Sequence, residues 1–573
     1  MDEGADATKV EWREWGQDAF DVADRAAKPV LLSLVTSWSA ECREMDTTTY
    51  AEPRVAANIN DGFVPVRVDA DRHPRVRERY NMGGFPSTVF LTPSGTVLSG
   101  ATLLGVDGFR GILDSVRRTW NSQGEEAGSV PRSLQNRGPP GDDLDVRIEE
   151  QMIEQLLGTF DGEFGGWGSD VKFPLPRTVE FALVRAPDQA TRTLEAIQTH
   201  LLDTYDGGFY RYARNRNWRG ARREKLADEN AALIRAFAHG YRYTGEDSYR
   251  NAAERGIEYL TTTLWTGDAV GASQGGDESY FTLGPTDREE ADPPGVDDTV
   301  FADRNGLAVD ALLRYAAYTD HDTAVRYARQ ARTHVCETLV TDGQVTHYRE
   351  DGDGEDAGES GLLLDQARLL AGLTTSWEVL GEPGPAAAVA DWTVEHLQTG
   401  EGAFRDGPAE GAGLLDRPLY PLDSCVECAG ALLDLALLTG DDRYRRAARW
   451  AVEAFAGAGE RMGVKVAGYA TVAARLREPR CIQVGTDPGT DLHRAALRLA
   501  DHETVVAPLV AGDHETAVAA AHAPGHGAGE ELALGHGAEE APDPGEARVV
   551  TDGVENGRAG SPAALETLLT GEE

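Results

Sequence analysis

Two short stretches carry sulfur at spacings that thiol chemistry uses: Ser39-Ala40-Glu41-Cys42 and Cys425-Val426-Glu427-Cys428. In a Cys-x-x-Cys helix start, the first thiol sits at the helix N-terminus, where its pKa falls and it attacks. The second resolves the mixed disulfide. With serine in first place, Ser39 and Cys42 cannot close an internal disulfide, so no dithiol exchange is expected there. Ser39 suits an N-cap. Cys42 reads as a buried structural thiol or as a monothiol that forms mixed disulfides. Cys425 and Cys428 read as a redox pair, as half a metal site or as two small apolar residues of a helix core. Cys336 and Cys481 stand apart, so a four-thiolate zinc centre is not expected. His514, His522, His526 and His536 lie in or beside a Gly/Ala-rich tract and read as solvated. No metal and no cofactor is assigned.

A second set of candidates recurs at the starts of helical runs. Glu224, Glu229, Asp303 and Asp365 are carboxylates of the kind that act in pairs as acid and base in glycoside hydrolysis. Trp167, Lys172, Lys225, Asn230, Asp277, Asn305 and Gln366, with Asp423 and Glu427, supply the aromatic, cationic and amide groups that sugar hydroxyls accept. The same residue types also cap helices, and Glu224–Lys225 reads equally as surface charge.

The elements that must position these groups fall into two patterns. Strand-length apolar runs at 29–34, 63–68 and 87–91 alternate with helical stretches at 39–47 and 52–59, giving a small α/β domain over 1–120. A Gly/Pro/Ser-rich linker is expected over 121–145. From 146 to 480 the apolar period is helical. Tyr243-Thr244-Gly245-Glu246-Asp247 returns as Leu438-Thr439-Gly440-Asp441-Asp442, with analogous turns at 319 and 380. Repeats of that length are helical hairpins that bury their faces on one another, as a solenoid or a closed ring. A small α/β segment (481–519), a low-complexity linker (520–547) and a C-terminal segment (548–573) complete the expected order.

Composition narrows the partners. With 96 acidic against 55 basic residues the net charge is -41, which repels phosphate backbones and anionic lipid, so nucleic acid and membrane are not expected partners. Only five of the basic residues are lysines (Lys9, Lys28, Lys172, Lys225 and Lys465). An acidic, lysine-poor chain fits a cytosol with molar salt, where the Debye length falls to about 3 Å. No signal peptide and no apolar run of membrane length is visible, and a cytoplasmic protein is expected.

Several blocks carry a resemblance. Gly84-Phe85-Pro86-Ser87-Thr88 looks like the cis-proline loop of thioredoxin, facing the segment of Ser39 and Cys42. With Phe164-Gly165-Gly166-Trp167, Arg223-Glu224-Lys225-Leu226-Ala227-Asp228-Glu229-Asn230 and Asp297-Asp298-Thr299-Val300-Phe301-Ala302-Asp303-Arg304-Asn305-Gly306, the chain resembles the spermatogenesis-associated protein 20-like family, as a divergent, haloarchaeal-type member. The resemblance implies a thioredoxin-like domain joined to an all-α (α/α)6 six-hairpin toroid. Helix starts would line its central funnel, and related toroids include sugar epimerases and glycosidases. Departures are chemical. Ser39 replaces the family's first cysteine. Arg222 stands where histidine usually precedes the Glu-Lys pair, and Arg304 stands for tryptophan. Cys425-Val426-Glu427-Cys428 lies in a segment where the family tends to have asparagine. Epimerases of this shape use histidines, which the matching blocks lack. The expected ligand is a carbohydrate or another polyhydroxylated small molecule, with the thioredoxin-like domain as a docking module for a protein partner. A thiol-redox protein and a non-catalytic scaffold are the alternatives.

Overall fold

A computed structural model describes residues 8–135, 138–350, 357–509 and 542–571. His514, His522, His526 and His536, and most of the expected low-complexity linker, lie outside the described residues. The chain divides into two units. One joins the N-terminal part, up to Gly138, to Gln274–Asp297 and Asp406–Leu419; the other holds the remainder. The sequence reading put both excursions in the toroid. Their place in the first unit rests partly on Arg79, which donates to the Asp406 carboxylate at 2.6 Å and to the Leu414 carbonyl at 2.9 Å.

The first unit contains helices α1 (Gln17–Ala26), α2 (Ala40–Thr47), α3 (Pro53–Gly62), α4 (Pro74–Tyr80) and α5 (Val106–Gln123). Its strands are β1 (Val30–Val35), β2 (Val64–Asp69), β3 (Ser87–Leu91) and β4 (Val97–Ala101). The sheet order is β2-β1-β3-β4, with β1 parallel to β2 and β3 antiparallel to both its neighbours. Alternation sends Val30, Leu32 and Leu34 into one core and Leu31 into another, with Tyr50, Phe63, Phe90 and Phe109. The sheet is therefore covered on both faces, which explains its continuous apolar strands.

In the second unit, α6 (Arg147–Thr159), α7 (Pro176–Arg185), α8 (Pro187–His200), α9 (Ala227–Thr244) and α10 (Asp247–Thr261) open the helical part. The short α11 (Glu278–Phe281) and α12 (Pro285–Glu290) belong to the first unit. Then come α13 (Ala302–Thr319), α14 (Asp322–Thr338), α15 (Leu363–Leu380), α16 (Ala386–Leu397), α17 (Leu422–Thr439), α18 (Asp442–Glu453) and α19 (Ala467–Arg477). Helices α7, α9, α13, α15, α17 and α19 pack each on the next, and α19 packs back on α7, closing a ring. Helices α8, α10, α14, α16 and α18 lie on the outside of their predecessors, and α6 lies on α19. This is the (α/α)6 toroid.

Four inner helices, α9, α13, α15 and α17, have the same length of 18 residues and the same ending, a left-handed C-cap at Gly245, Asp320, Gly381 and Gly440. These caps are the repeated turns of the sequence. The left-handed conformation needs glycine or a residue such as aspartate.

Strands at Arg480–Val484, Val505–Pro508, Ala547–Thr551 and Val554–Ala559 form one sheet. The expected C-terminal segment is thus not separate from residues 481–508: Val549 and Val550 pair with Ile482 and Cys481. Among the described residues, no helix is long and apolar enough to cross a membrane.

Candidate functional site

The shared helix length gives the inner helices a common register. Their fourth residues are Asn230, Asn305, Gln366 and Cys425. Each turns away from the ring's interior and clamps the loop that enters the helix. Asn230 accepts from Phe209 N at 2.7 Å and donates to the Phe209 and Leu226 carbonyls. Asn305 does the same with Val270 and Phe301. Gln366 accepts from Val345 N at 2.6 Å and donates to Gly343 and Thr393. Cys425 donates its thiol hydrogen to the Phe404 carbonyl at 3.3 Å. The three amides, expected as ligand-binding groups, have their polar atoms committed to backbone.

Lys172 and Lys225 are a matched pair. Lys172 Nζ holds Asp161 at 3.0 Å and the Gly168 carbonyl at 2.8 Å; Lys225 Nζ holds Asp203 at 2.8 Å and the Gly207 carbonyl at 2.7 Å. Both are fully buried and pin glycine turns that bring Trp167 and Phe209 inward. Trp167 is itself buried, donating to the Leu156 carbonyl. These three expected binding residues are structural.

Three of the four expected catalytic carboxylates are also committed. Arg222 grips Glu224 at 2.6 Å and offsets its charge. Asp365 receives the Asp303 backbone N–H at 3.1 Å and meets His347 Nδ1 at 2.9 Å. Asp303 is bound by Arg368 at 2.9 Å. Asp303, His347 and Asp365 offer ligand atoms within 4.8 Å of one another and could hold a metal ion, although Arg368 already supplies Asp303 with a cation.

The fourth, Glu229, lines a cavity of about 430 Å³ inside the ring. The second, sixth, ninth and thirteenth residues of the 18-residue helices follow one helical stripe, and they furnish its walls. They include Asp228, Asp423, Arg368, Glu427, Arg235, Asp310, His239, Arg314 and Asp434. Arg235 bridges Glu180 at 2.7 Å and Asp310. Arg368 binds Glu427 at 2.9 Å, and against burial, Arg368 and Arg177 hold the Glu427 carboxyl below its usual range. Glu229 is the exception. Burial, opposed by Arg211 at 3.3 Å and reinforced by Asp228, pushes its carboxyl up to about 7. Its Oε2 makes no hydrogen bond.

In the first unit, Ser39 caps α2 by accepting the Cys42 N–H at 3.3 Å. Cys42 is buried, and burial raises its thiol pKa against the hydrogen bond to Ser39. The Phe85–Pro86 peptide is cis, and Phe85 meets Trp38 edge-on. Asp277 caps α11 through Ser279 and Tyr280. Asp69 is pushed up to about 7 by burial and by Asp71. Burial also lifts the Cys428 thiol well above its ordinary value, and none of the five cysteines is in a disulfide.

Sequence reasoning missed Arg235, Arg314, His239 and His502. The signal was present: Arg235 and His239 lie seven and eleven residues beyond Asp228, the neighbour of Glu229, on the stripe that Asp228 begins.

Residues 4–137 match the Thioredox_DsbH family, a protein of unknown function, DUF255. Human spermatogenesis-associated protein 20 is 27% identical over 295 residues, which cover 44% of this chain and 37% of that protein. The chain thus aligns with little more than a third of the curated relative's length. A sugar epimerase from a ruminal bacterium is 14% identical with a TM-score of 0.44, over 53% of this chain and 84% of that one. Cellobiose 2-epimerase from Spirochaeta thermophila is 16% identical with a TM-score of 0.43, over 53% and 83%. Residues 4–137 thus carry a Thioredox_DsbH domain, and the chain is similar over part of its length to spermatogenesis-associated protein 20.

Proposed function

We propose that the toroid binds and processes a carbohydrate or similarly polyhydroxylated ligand in the cavity that Glu229 lines. The observation that carries this reading is Glu229 itself: a half-buried carboxyl with one oxygen unpartnered, pushed up to about 7, in a wall of guanidinium and carboxylate groups. A carboxyl poised there exchanges a proton with a ligand hydroxyl near neutral pH. The surrounding pairs, such as Arg368–Glu427, present donors and acceptors fixed in advance. Phe173 and Tyr469, also on the wall, offer apolar faces to sugar rings. Glu224, Asp303 and Asp365 are not on that wall and take no catalytic part in this reading.

The thioredoxin-like domain serves as a docking module. Its Ser39 is a cap and its one thiol there is buried. The protein works in a cytoplasm of high salt, which its net charge of -41 and five lysines support.

Calorimetry of the wild-type protein and Glu229→Gln with glucose, mannose and their disaccharides, in multi-molar KCl, tests the site. The variant is expected to bind at least about tenfold more weakly, worth about 1.4 kcal/mol. Equal affinity in both proteins contradicts the assignment.

A further inference from the structure

Among the described residues, two that line the cavity carry a buried polar atom with no hydrogen-bond partner: Glu229 at Oε2 and His502 at Nε2. They belong to different depths. Glu229 is the third residue of α9, and His239, which stacks on His502 with ring centroids 4.5 Å apart, is the thirteenth. Ten residues of helix span about 15 Å. Arg314, Thr375 and Asp434 occupy the same thirteenth place on α13, α15 and α17 and line the cavity at that level.

The hydrogen bonds around His502 fix what its free nitrogen offers. The Tyr243 hydroxyl oxygen accepts the His502 backbone N–H at 3.4 Å and stands 2.9 Å from Nδ1. With the hydroxyl donating a hydrogen bond to Nδ1, Nε2 carries the ring hydrogen. The Tyr318 hydroxyl likewise stands 3.1 Å from His239 Nδ1. Tyr243 and Tyr318 stand at the seventeenth place of α9 and α13, so the two tyrosine–histidine pairs come from one helical register. A buried N–H without an acceptor costs about 1–3 kcal/mol. Burial holds both imidazoles below the usual range, as does the charge of the other ring on His239. The two rings are thus neutral, and between the paired Arg314 and Asp434 charges their N–H suits a hydroxyl oxygen.

We infer that the cavity contains a second, deep sugar subsite at His239 and His502, where the His502 Nε2–H donates to a ligand hydroxyl, and that the ligand is an oligosaccharide of two or more units. The inference rests on the carbohydrate reading of the cavity. A single pyranose ring does not bridge the distance from Glu229 to the histidines, whereas linked rings reach both.

Calorimetry with glucose, cellobiose, mannose and mannobiose separates the two claims. In the wild-type protein a disaccharide is expected to bind about tenfold more tightly than its monosaccharide, and His502→Phe is expected to remove that advantage. Tyr243→Phe keeps the imidazole but releases its tautomer; it is expected to reduce the advantage in part, and it serves if His502→Phe fails to fold. Disaccharide and monosaccharide affinities within about twofold of each other in the wild type, or an advantage that survives both variants, overturn the deep subsite and leave the Glu229 site standing. No binding of any of the four sugars overturns both.

Discussion

Cys425 does for the Phe404 carbonyl what Asn230 does for that of Phe209: Sγ lies 3.3 Å from the one oxygen and Nδ2 lies 3.2 Å from the other. Both are fourth residues of 18-residue inner helices. The apparent Cys-x-x-Cys motif is therefore one clamp residue and one core residue, three apart on a buried helix face. Asn230→Ala leaves a buried N–H and carbonyl unpaired and is expected to cost about 2–3 kcal/mol in denaturant unfolding. Cys425→Asn supplies the amide that α9 and α13 carry at this place and is expected to be neutral or stabilising by up to about 1 kcal/mol. A loss at Cys425→Asn as large as that at Asn230→Ala contradicts the equivalence.

Glu229 makes stability depend on pH with a definite sign. Its folded-state pKa of about 7 exceeds the ordinary value of 4.5, so between those values the folded protein holds the proton more tightly than the unfolded chain. Its contribution is present below pH 4.5 and is lost as pH rises through 7, by as much as about 3 kcal/mol. Asp69, also pushed up to about 7, acts with the same sign from pH 3.8. Glu229→Gln is expected to be more stable than wild type at pH 8 and to show a shallower fall from pH 5 to 8. A slope unchanged by the substitution contradicts a half-buried carboxyl that Arg211 only partly offsets.

The thiols are expected to be silent in the native state. Burial raises the pKa of Cys42 and Cys428, and that of Cys481 to about 12, so little thiolate is present at pH 8. Reaction of Cys42 with Ellman's reagent is expected only on unfolding. Rapid native-state labelling of Cys42, or its capture in a mixed disulfide, favours the redox reading.

Salt enters through net charge. At -41, self-repulsion across the surface is screened as the Debye length shortens from about 10 Å at 0.1 M to about 3 Å at 1 M. The thermal midpoint is expected to climb steeply between 0.1 and about 2 M KCl. A flat or falling midpoint removes the high-salt assignment.

The architecture was legible because it is written in period and punctuation. Apolar runs of strand length, a 3.6 period and turns at 244, 319, 380 and 439, three with glycine and one with Asp320, fall where the strands, helices and C-caps lie. The site was legible only in part. Asn230, Asn305, Gln366, Lys172 and Lys225 have the residue types of a binding site, yet their polar atoms point into loops. Only the direction of each side chain distinguishes a loop clamp from a ligand contact. Glu229 and Asn230 are adjacent in sequence, but a helix turns about 100° per residue, so one faces the cavity and the other the entering loop. His502 comes from the loop after α20 (Asp491–Leu499), far from any block that marked the toroid, and no spacing rule reached it.

Thermal unfolding in multi-molar KCl against a panel of mono- and disaccharides tests the carbohydrate reading of the cavity most directly. A sugar present at 100 times its dissociation constant is expected to stabilise the wild-type protein by about 2.7 kcal/mol, and Glu229→Gln is expected to lose most of that shift. No shift with any sugar, or the same shift in the variant, contradicts the account.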